Sequence, residues 1–266
     1  MAVRVAAHTF IFQQYGFDQA KQADKIAETI AEAGYAAIEW HHTALVGDDY
    51  KNRLELAQRN CGLELVGVTH SLPLWNQGEY ERVMDILDEH AEKLSSIDTD
   101  LTCNLSCSGK SSTNRNASQN EHLVQVLTEL SSIFGSLDLQ IAYQNCGESG
   151  EHLTLLTDEL EEDLLQLSPD IHALKTGGID PIQFVENQGE RITSIHLRDY
   201  DGAGNRTVAI GEGELPLEEL KGALDTIEFD GDIIVELILP SGTPPERPVL
   251  DILSDSRKAI ADRLSV

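Results

Sequence analysis

Four polar side chains stand at the ends of otherwise apolar segments and could share one chemical task. They are Gln144, Asp170, His196 and Glu236. Glu236 lies inside the apolar run 231–239, where burying a carboxylate is unfavourable unless a cation meets it. Oxygen and nitrogen donors of these types suit Mn²⁺, Mg²⁺, Co²⁺ or Zn²⁺. The four residues predict a divalent-metal site if the fold brings them together.

Three of these residues also have simpler interpretations. Glu236 could form a salt bridge with an arginine at the rim of the fold. His196 could be a hydrogen-bonded core group, although strand alternation places it on the face opposite its apolar neighbours. Asp170 could be the N-cap of a helix. Taken one at a time, these residues do not decide between structure and chemistry.

The elements that must position these side chains alternate along the chain. The predicted strands are 3–6, 37–39, 63–68, 101–104, 139–143, 164–167, 192–197 and 233–237. The predicted helices are 18–33, 49–60, 80–97, 120–134, 153–160, 181–188, 216–225 and 249–264. Eight strands that alternate with eight helices predict parallel pairing, and in 266 residues they favour a single (β/α)8 TIM barrel spanning residues 1–266.

An open, doubly wound α/β sheet is the alternative fold. It would favour a glycine-rich phosphate loop after the first strand, whereas residues 6–16 read AAHTFIFQQYG. Within the barrel, Gly34 is predicted just after the end of a helix, and Asp180 with Pro181 at the start of another. The polar segment 106–119 is predicted to be a mobile loop. Active sites of such barrels lie at the C-terminal ends of the strands, where the four polar residues fall.

Composition excludes some partners. The net charge is −27, from 46 acids and 19 bases, and such a chain repels nucleic acid and anionic membranes. The acids could serve solubility or adaptation to high salt. No apolar run is long enough to span a membrane, and the first residues, MAVRVAAHTF, do not resemble a signal peptide. Four cysteines without a zinc-ribbon spacing are expected to be reduced, in the cytosol. A homo-oligomer is possible.

Several short motifs occur in a characteristic order. They are 34–39 (GYAAIE), 62–67 (GLELVG), Asp170 with 178–181 (GIDP), 189–192 (GERI) with 196–199 (HLRD), 211–213 (GEG), and Glu236. Over about residues 34–240 this order resembles the xylose isomerase-like barrels. That family includes sugar-phosphate isomerases and epimerases, ketose 3-epimerases and inosose dehydratases.

The resemblance implies a divalent metal held by side chains from the fifth to the eighth strand. Asp170, His196 and Glu236 match that pattern. Gln144 stands where the family has a glutamate or histidine, and Cys146 where a further histidine is common. Gln144 can coordinate through its amide oxygen but cannot take a proton, which argues against an epimerase that uses two carboxylates.

The resulting hypothesis is a metal-dependent isomerase, epimerase or dehydratase of a small sugar, sugar phosphate or inosose. Glu236 would bind the metal or remove a proton next to a carbonyl. Glu39 and His70 would meet substrate hydroxyls or form rim hydrogen bonds. Arg198 would hold a substrate anion or pair with Glu236, and Glu212 would contact substrate.

Two other functions remain open. One is a barrel whose site has decayed into a binding module, which the glutamine and cysteine at positions 144 and 146 would support. The other is a metal-dependent abasic-site nuclease, which would need a basic face for DNA and is disfavoured by the charge of −27.

Overall fold

The strand segments pair side by side in one parallel sheet in the computed structural model, which describes residues 3–109, 113–240, 242 and 244–266. The strands are β1 (Arg4–His8), β2 (Ala37–His41), β3 (Glu64–Leu72), β4 (Thr102–Cys107), β5 (Gln140–Gln144), β6 (Gln166–Leu167), β7 (Ser194–Leu197) and β8 (Asp232–Val235). Their order in the sheet is β6-β5-β4-β3-β2-β1-β8-β7. The backbone N–H groups of Thr193 and His196 donate to the carbonyls of Leu167 and Pro169 at 3.0 and 2.9 Å, which joins the two edges. The predicted TIM barrel is confirmed.

Helices connect successive strands and cover the outside of the barrel. They are α1 (Phe10–Gln14), α2 (Ala23–Glu32), α3 (Tyr50–Cys61), α4 (Tyr80–Ser95), α5 (Ala117–Gly135), α6 (Gly150–Glu159), α7 (Ile171–Thr176), α8 (Pro181–Gln188), α9 (Leu217–Thr226) and α10 (Val249–Leu264). Helices α1 and α7 are not predicted from the sequence, because five or six residues are too few to show a helical period. None of the helices in the described residues is long and apolar enough to cross a membrane.

Local signals in the sequence predict several helix ends correctly. Asp180 Oδ1 accepts hydrogen bonds from the backbone of Ile182 and Gln183, and α8 begins at Pro181 as predicted. Gly34 follows α2 with a φ of +88°, which a residue with a side chain rarely adopts. The predicted loop 106–119 is shorter than expected, because its ends belong to β4 and α5. Residues 110–112 of that loop lie outside the described residues.

Several strands differ from their predicted bounds at the mouth of the barrel, β3 and β8 among them. β3 continues to Leu72, so it carries polar residues further than predicted. β8 ends at Val235, yet the N–H of Glu236 still donates to the carbonyl of Leu197 at 3.1 Å. The backbone of Glu236 is therefore held against β7 although it lies just beyond its own strand.

The interior of the barrel is layered. Near the N-terminal end, Ala6, Ala37, Val66 and Ile234 form a small apolar cluster, separate from the main core between sheet and helices. Two residues further along β1 and β2, and just past β8, the same face carries His8, Glu39 and Glu236. Alternation of side chains thus places a polar layer directly above the apolar one.

Candidate active site

A cleft of about 190 Å³ opens at the C-terminal mouth of the barrel, above the polar layer. It is lined by His8, Phe10, His41, Thr69, Ser71, Ser106, Cys107, Gln144, Asn145, Cys146, Arg198, Glu236 and Ile238. A larger depression of about 530 Å³ surrounds Arg4 and Asp232 at the opposite end, where the two side chains form an ion pair. Because chemistry in such barrels is built at the C-terminal ends of the strands, we take the cleft as the candidate site.

Glu236 is the central carboxylate of this cleft. Its Oε2 accepts a hydrogen bond from Gln144 Nε2 at 2.7 Å and lies 2.9 Å from His196 Nδ1. Its Oε1 lies 2.6 Å from Arg198 Nη2. Burial favours the neutral acid, but Arg198, His8 and His196 outweigh it and hold the pKa of Glu236 well below its usual value. Glu236 is thus an ionised carboxylate with both oxygens in use.

Arg198 bridges the two carboxylates at the mouth. Its Nε lies 2.8 Å from Asp170 Oδ2, while Nη2 contacts Glu236. The expectation that Arg198 pairs with Glu236, and the simpler interpretation of Glu236 as half of a salt bridge at the rim, are both confirmed. Asp170 also caps α7, since its Oδ1 accepts a hydrogen bond from Ala173 N at 2.8 Å. Each oxygen of Asp170 therefore has a separate role.

His196 points into the barrel, as strand alternation predicts. Besides its contact with Glu236, its Nε2 lies 3.5 Å from Glu39 Oε2. Burial alone would lower the pKa of His196, but the carboxylates of Glu39, Glu236 and Asp170 together raise it. The imidazole thus lies between two carboxylates that favour its protonated form.

Glu39 lies below the cleft, in the polar layer of the barrel interior. It is fully buried, and Oε1 accepts a hydrogen bond from the amide of Asn104. Its Oε2 lies 3.9 Å from His8 Nε2. Space for this carboxylate depends on Gly67, because a Cβ there would lie 3.2 Å from Glu39 Oε1. Glu39 is brought close to the other predicted site residues, but it does not line the cleft.

Neither His70 nor Glu212 lines the cleft. The pairing of β2 with β3 shifts by one residue after Ile38, so His70 points outward, towards the helices. There its Nε2 lies 2.8 Å from His90 Nδ1 of α4. The carboxylate of Glu212 instead forms an ion pair with Arg247. Neither residue is positioned to contact a substrate in the cleft.

Sequence reasoning missed several residues that line the cleft, among them His8 and His41. Both follow from the rule that identified His196, namely a polar residue in strand register near the C-terminal end. The predicted first and second strands end two residues too early, at 6 and 39, and so stop short of both histidines. The sequence does not indicate that Phe10 lines the cleft, because Phe10 begins α1, and a five-residue helix is too short to show a helical period.

Asp199, the last residue of the HLRD motif, has a structural role. Oδ2 accepts the backbone N–H groups of Gly211 and Gly213, each at 2.8 Å. Oδ1 accepts those of Tyr200 and Leu215 at 2.7 and 2.9 Å. One buried carboxylate thus organises the loop between β7 and α9, which explains why HLRD and GEG occur together in this chain.

The donors that the resemblance assigns to a metal converge, but they do not fit one. Both oxygens of Glu236 and the Oδ2 of Asp170 are engaged by Arg198, Gln144 or His196. Gln144 directs its amide N–H, and not its amide oxygen, towards Glu236. In the described part of the chain, no group of three or more His, Cys, Asp and Glu side chains could hold a metal ion.

Comparisons with known proteins agree with this architecture. Residues 27–258 match the family model of the xylose isomerase-like TIM barrel. A sugar phosphate isomerase/epimerase from Parabacteroides distasonis superposes with a TM-score of 0.73 at 16% identity, covering 100% of this chain and 95% of that one. An L-ribulose 3-epimerase gives 0.79 at 13%, with coverage of 100% and 95%.

A D-allulose 3-epimerase from Methylomonas sp. gives a TM-score of 0.74 at 16% identity, covering 99% of this chain and 100% of that one. At these identities the likeness shows the fold. No curated protein sequence matches the chain significantly.

Proposed function

Because this chain belongs to the xylose isomerase-like TIM barrel family, we propose that it is an isomerase or epimerase of a small sugar, sugar phosphate or inosose. The observation that supports this proposal is Glu236, an ionised carboxylate that lines the cleft at the C-terminal mouth. An ionised carboxylate can accept a proton from a carbon next to a carbonyl. The contacts with Arg198, His196 and Gln144 lower the basicity of Glu236, so at least one of them must release an oxygen as the proton is taken. The names of the similar structures point to the same class of substrate.

The proposed chemistry is enolisation with Glu236 as the base. The C–H bond next to the carbonyl breaks, its proton passes to Glu236, and the electron pair moves onto the carbonyl oxygen. Arg198 and Gln144 carry further N–H groups with which to stabilise that developing negative charge. No step uses the divalent metal that the resemblance implies, because the described donors do not fit one.

A single base favours some outcomes over others. Of the described residues that line the cleft, Glu236 is the only carboxylate. One base can return the proton to the neighbouring carbon on the same face, while the hydroxyl proton on that carbon passes to the former carbonyl oxygen; the carbonyl then lies on the neighbouring carbon, which is isomerisation. Epimerisation requires a second acid on the opposite face, and Gln144 cannot be that acid. Isomerisation, or dehydration after the same enolisation, is therefore favoured over epimerisation by two carboxylates.

Solvent exchange tests the proposal without knowledge of the natural substrate. The protein is incubated in D₂O with a panel of ketoses, inososes and sugar phosphates, and incorporation of deuterium next to the carbonyl is followed by NMR. We expect exchange with at least one member of the panel. Glu236→Gln should lower its rate by roughly 100-fold or more, since the base is removed while the shape is kept.

The matched control is Glu89→Gln, the same substitution on the exposed surface of α4, where Glu89 pairs with Lys93. This variant should exchange at the rate of the unmodified protein. Exchange by Glu236→Gln at the same rate would contradict the role of Glu236. Absence of exchange with every member of the panel would contradict enolisation.

A binding module is the second candidate, and the contacts of Glu236 and Asp170 favour it. Both carboxylates are engaged within the protein, as in a site that only holds its ligand. Calorimetric titration with the same panel distinguishes the two functions. Saturable binding of a sugar without deuterium exchange would support the binding module.

A further inference from the structure

We propose that Arg198 is the resident cation of this site, standing between Asp170 and Glu236 where the sequence resemblance implies a divalent metal. The claim about binding concerns this chain's own residues and does not depend on the reaction. The additional claim, that Arg198 acts as the electrophile, rests on the proposed function.

The guanidinium of Arg198 forms a close bridge between the two carboxylates. Arg198 contacts Asp170 Oδ2 at 2.8 Å and Glu236 Oε1 at 2.6 Å, and its side chain is only 17% exposed. Both carboxylates are almost completely buried. A metal held by these two residues would compete with Arg198 for Asp170 Oδ2, since Oδ1 caps α7, and on Glu236 it would have to displace Arg198 from Oε1 or Gln144 and His196 from Oε2. The guanidinium thus already provides the cation that two buried carboxylates require.

The positive charge of Arg198 opposes a second cation at this position. A divalent ion within coordination distance of Asp170 and Glu236 would lie next to the guanidinium, and the two cations would repel each other at close range. Arg198 cannot lose its charge to avoid this. Burial alone would lower its pKa, but the carboxylates of Asp170 and Glu236 outweigh burial and raise the already high pKa further. Metal binding would therefore require Arg198 to leave both partners.

Gln144 is a neutral neighbour of Glu236. Its amide donates a hydrogen bond to Glu236 Oε2 at 2.7 Å. A carboxylate at position 144 would instead face Glu236 with a second negative charge and would need a cation between them. The amide removes that need. Both residues therefore reduce the need for a metal ion at the site. Gln144 does so because it adds no negative charge, and Arg198 because it supplies a positive charge.

Other buried atoms in and below the cleft are candidates for holding a cation. Thr69 Oγ1 and Asn104 Oδ1 have no hydrogen-bond partner among the described residues, and neither do the three atoms His8 Nε2, Glu39 Oε2 and His196 Nε2. His8 and His196 lie 3.9 and 3.5 Å from Glu39, but Glu39 is fully enclosed and contributes the only carboxylate of the three. Binding at this position would appear in the experiment below and would count against the proposal.

Metal binding to the complete protein is the primary test. Elemental analysis of purified protein and titration with Mn²⁺, followed by electron paramagnetic resonance and calorimetry, should give well below one equivalent of bound metal. Treatment with EDTA should leave the Tm unchanged. Stoichiometric binding of Mn²⁺ or Zn²⁺, or a fall in Tm after EDTA, would overturn the proposal.

A pair of variants tests whether Arg198 occupies a latent metal site. The double variant Gln144→Glu with Arg198→Ala restores a carboxylate and removes the guanidinium. It should bind Mn²⁺ roughly tenfold or more tightly than the unmodified protein, and Mn²⁺ should raise its Tm. The matched control, Gln144→Glu with Arg198→Lys, keeps a cation at position 198 and should bind Mn²⁺ no better than the unmodified protein.

Equal Mn²⁺ affinity of the two double variants would overturn the assignment of Arg198. If the alanine variant does not fold, the measurements on the unmodified protein still decide the proposal. The role of Arg198 as electrophile has its own measurement. Arg198→Lys should slow deuterium exchange in metal-free buffer by roughly tenfold or more, mainly through kcat, because the ammonium has a different shape and reach.

Failure of the proposed function and failure of the claim about metal binding give different results. Lack of exchange by metal-free protein contradicts the proposed function and leaves the binding claim intact. Bound metal contradicts the present proposal, whichever reaction the protein catalyses.

Discussion

At the scale of single residues, the site is organised by carboxylates whose two oxygens perform different tasks. Asp170 caps α7 with Oδ1 and contacts Arg198 with Oδ2. Glu236 uses one oxygen for Arg198 and the other for Gln144 and His196. A carboxylate can meet two partners in this way because each oxygen can accept a hydrogen bond or form an ion pair independently of the other. Helix capping and site chemistry therefore do not compete at Asp170.

Gly67 illustrates how a residue without a side chain contributes to the site. A Cβ at this position would lie 2.8 Å from the carbonyl oxygen of Thr102 and 3.2 Å from Glu39 Oε1. We expect Gly67→Ala to lower the free energy of unfolding by about 1–3 kcal/mol, because backbone in the sheet cannot move aside easily. Urea denaturation measures this loss.

Gly222 provides the matched control for that substitution. It lies in α9, and a Cβ there would meet no atom within 4 Å. Gly222→Ala should stabilise the protein by roughly 0.5–1 kcal/mol, since alanine favours the helix. A Gly67→Ala protein as stable as the unmodified one would show that β3 and Glu39 adjust freely.

At the scale of elements, the loop between β7 and α9 depends on one side chain. Asp199 accepts four backbone N–H groups and is 3% exposed. Asp199→Asn retains one oxygen but presents N–H groups to two of the donors. We expect a loss of about 1–3 kcal/mol for each donor left unpaired, together with faster proteolysis within residues 200–215.

Asp201, in the same loop, is the control for Asp199. Its carboxylate also accepts backbone N–H groups, those of Ala203 and Asn205, but it is exposed. Water can replace these bonds, so Asp201→Asn should cost less than about 1 kcal/mol. Equal effects of the two substitutions, measured by urea denaturation, would mean that burial does not set the importance of Asp199.

The contact between β3 and α4 contains histidines that are held neutral. Burial, with smaller contributions from His42 and Lys93, lowers the pKa of His90 to about 4, against a small opposing effect of Glu89. The pKa of His70 is also lowered well below its usual value, by burial and by its neighbours His90 and His42. Buried neutral imidazoles of this kind make stability depend on pH.

Acid should therefore destabilise this contact. Between pH 6.5 and about 4 the unfolded chain binds a proton at His90 while the folded protein does not, so stability falls as the pH falls. Each such histidine contributes up to about 1.4 kcal/mol per pH unit. His90→Gln should show a shallower loss in urea denaturation series across this range. Parallel curves for the two proteins would contradict the assignment.

At the scale of the whole molecule, charge is the dominant feature. A net charge of −27 on a barrel of 266 residues produces strong self-repulsion at low ionic strength. We expect the Tm to rise as NaCl increases from about 0.01 to 0.2 M, because the Debye length falls from ~30 Å to below ~10 Å. An uncharged osmolyte at the same concentrations should have a much smaller effect.

The shape of this salt dependence distinguishes the two interpretations of the acidity. A rise that ends below about 0.3 M indicates ordinary screening of acids that keep the protein soluble. A Tm that continues to rise beyond about 1 M indicates adaptation to high salt. A Tm that falls with added NaCl in the low range would contradict self-repulsion as the main electrostatic effect.

The architecture, and the end of the barrel at which the candidate site lies, follow from the sequence by itself. Periodicity and helix caps are local properties, so α8 and α10 have the predicted bounds and the eight strands occur in the predicted order. Alternation along a strand is equally local, which explains why His196 points inward as expected. The short helices α1 and α7 escaped prediction because their patterns are not long enough.

The partners of the site residues were decided only by the tertiary structure. A one-residue shift between β2 and β3 turns His70 away from the cleft, and the only local signal for it is Gly67, which lies at the shift. Arg198 was expected to meet either a substrate anion or Glu236. Its position between Asp170 and Glu236 depends on the closure of the barrel between β6 and β7 and on the pairing of β7 with β8. Contacts of this kind join residues far apart in the chain, so their geometry is set by register and packing, which a local pattern does not contain.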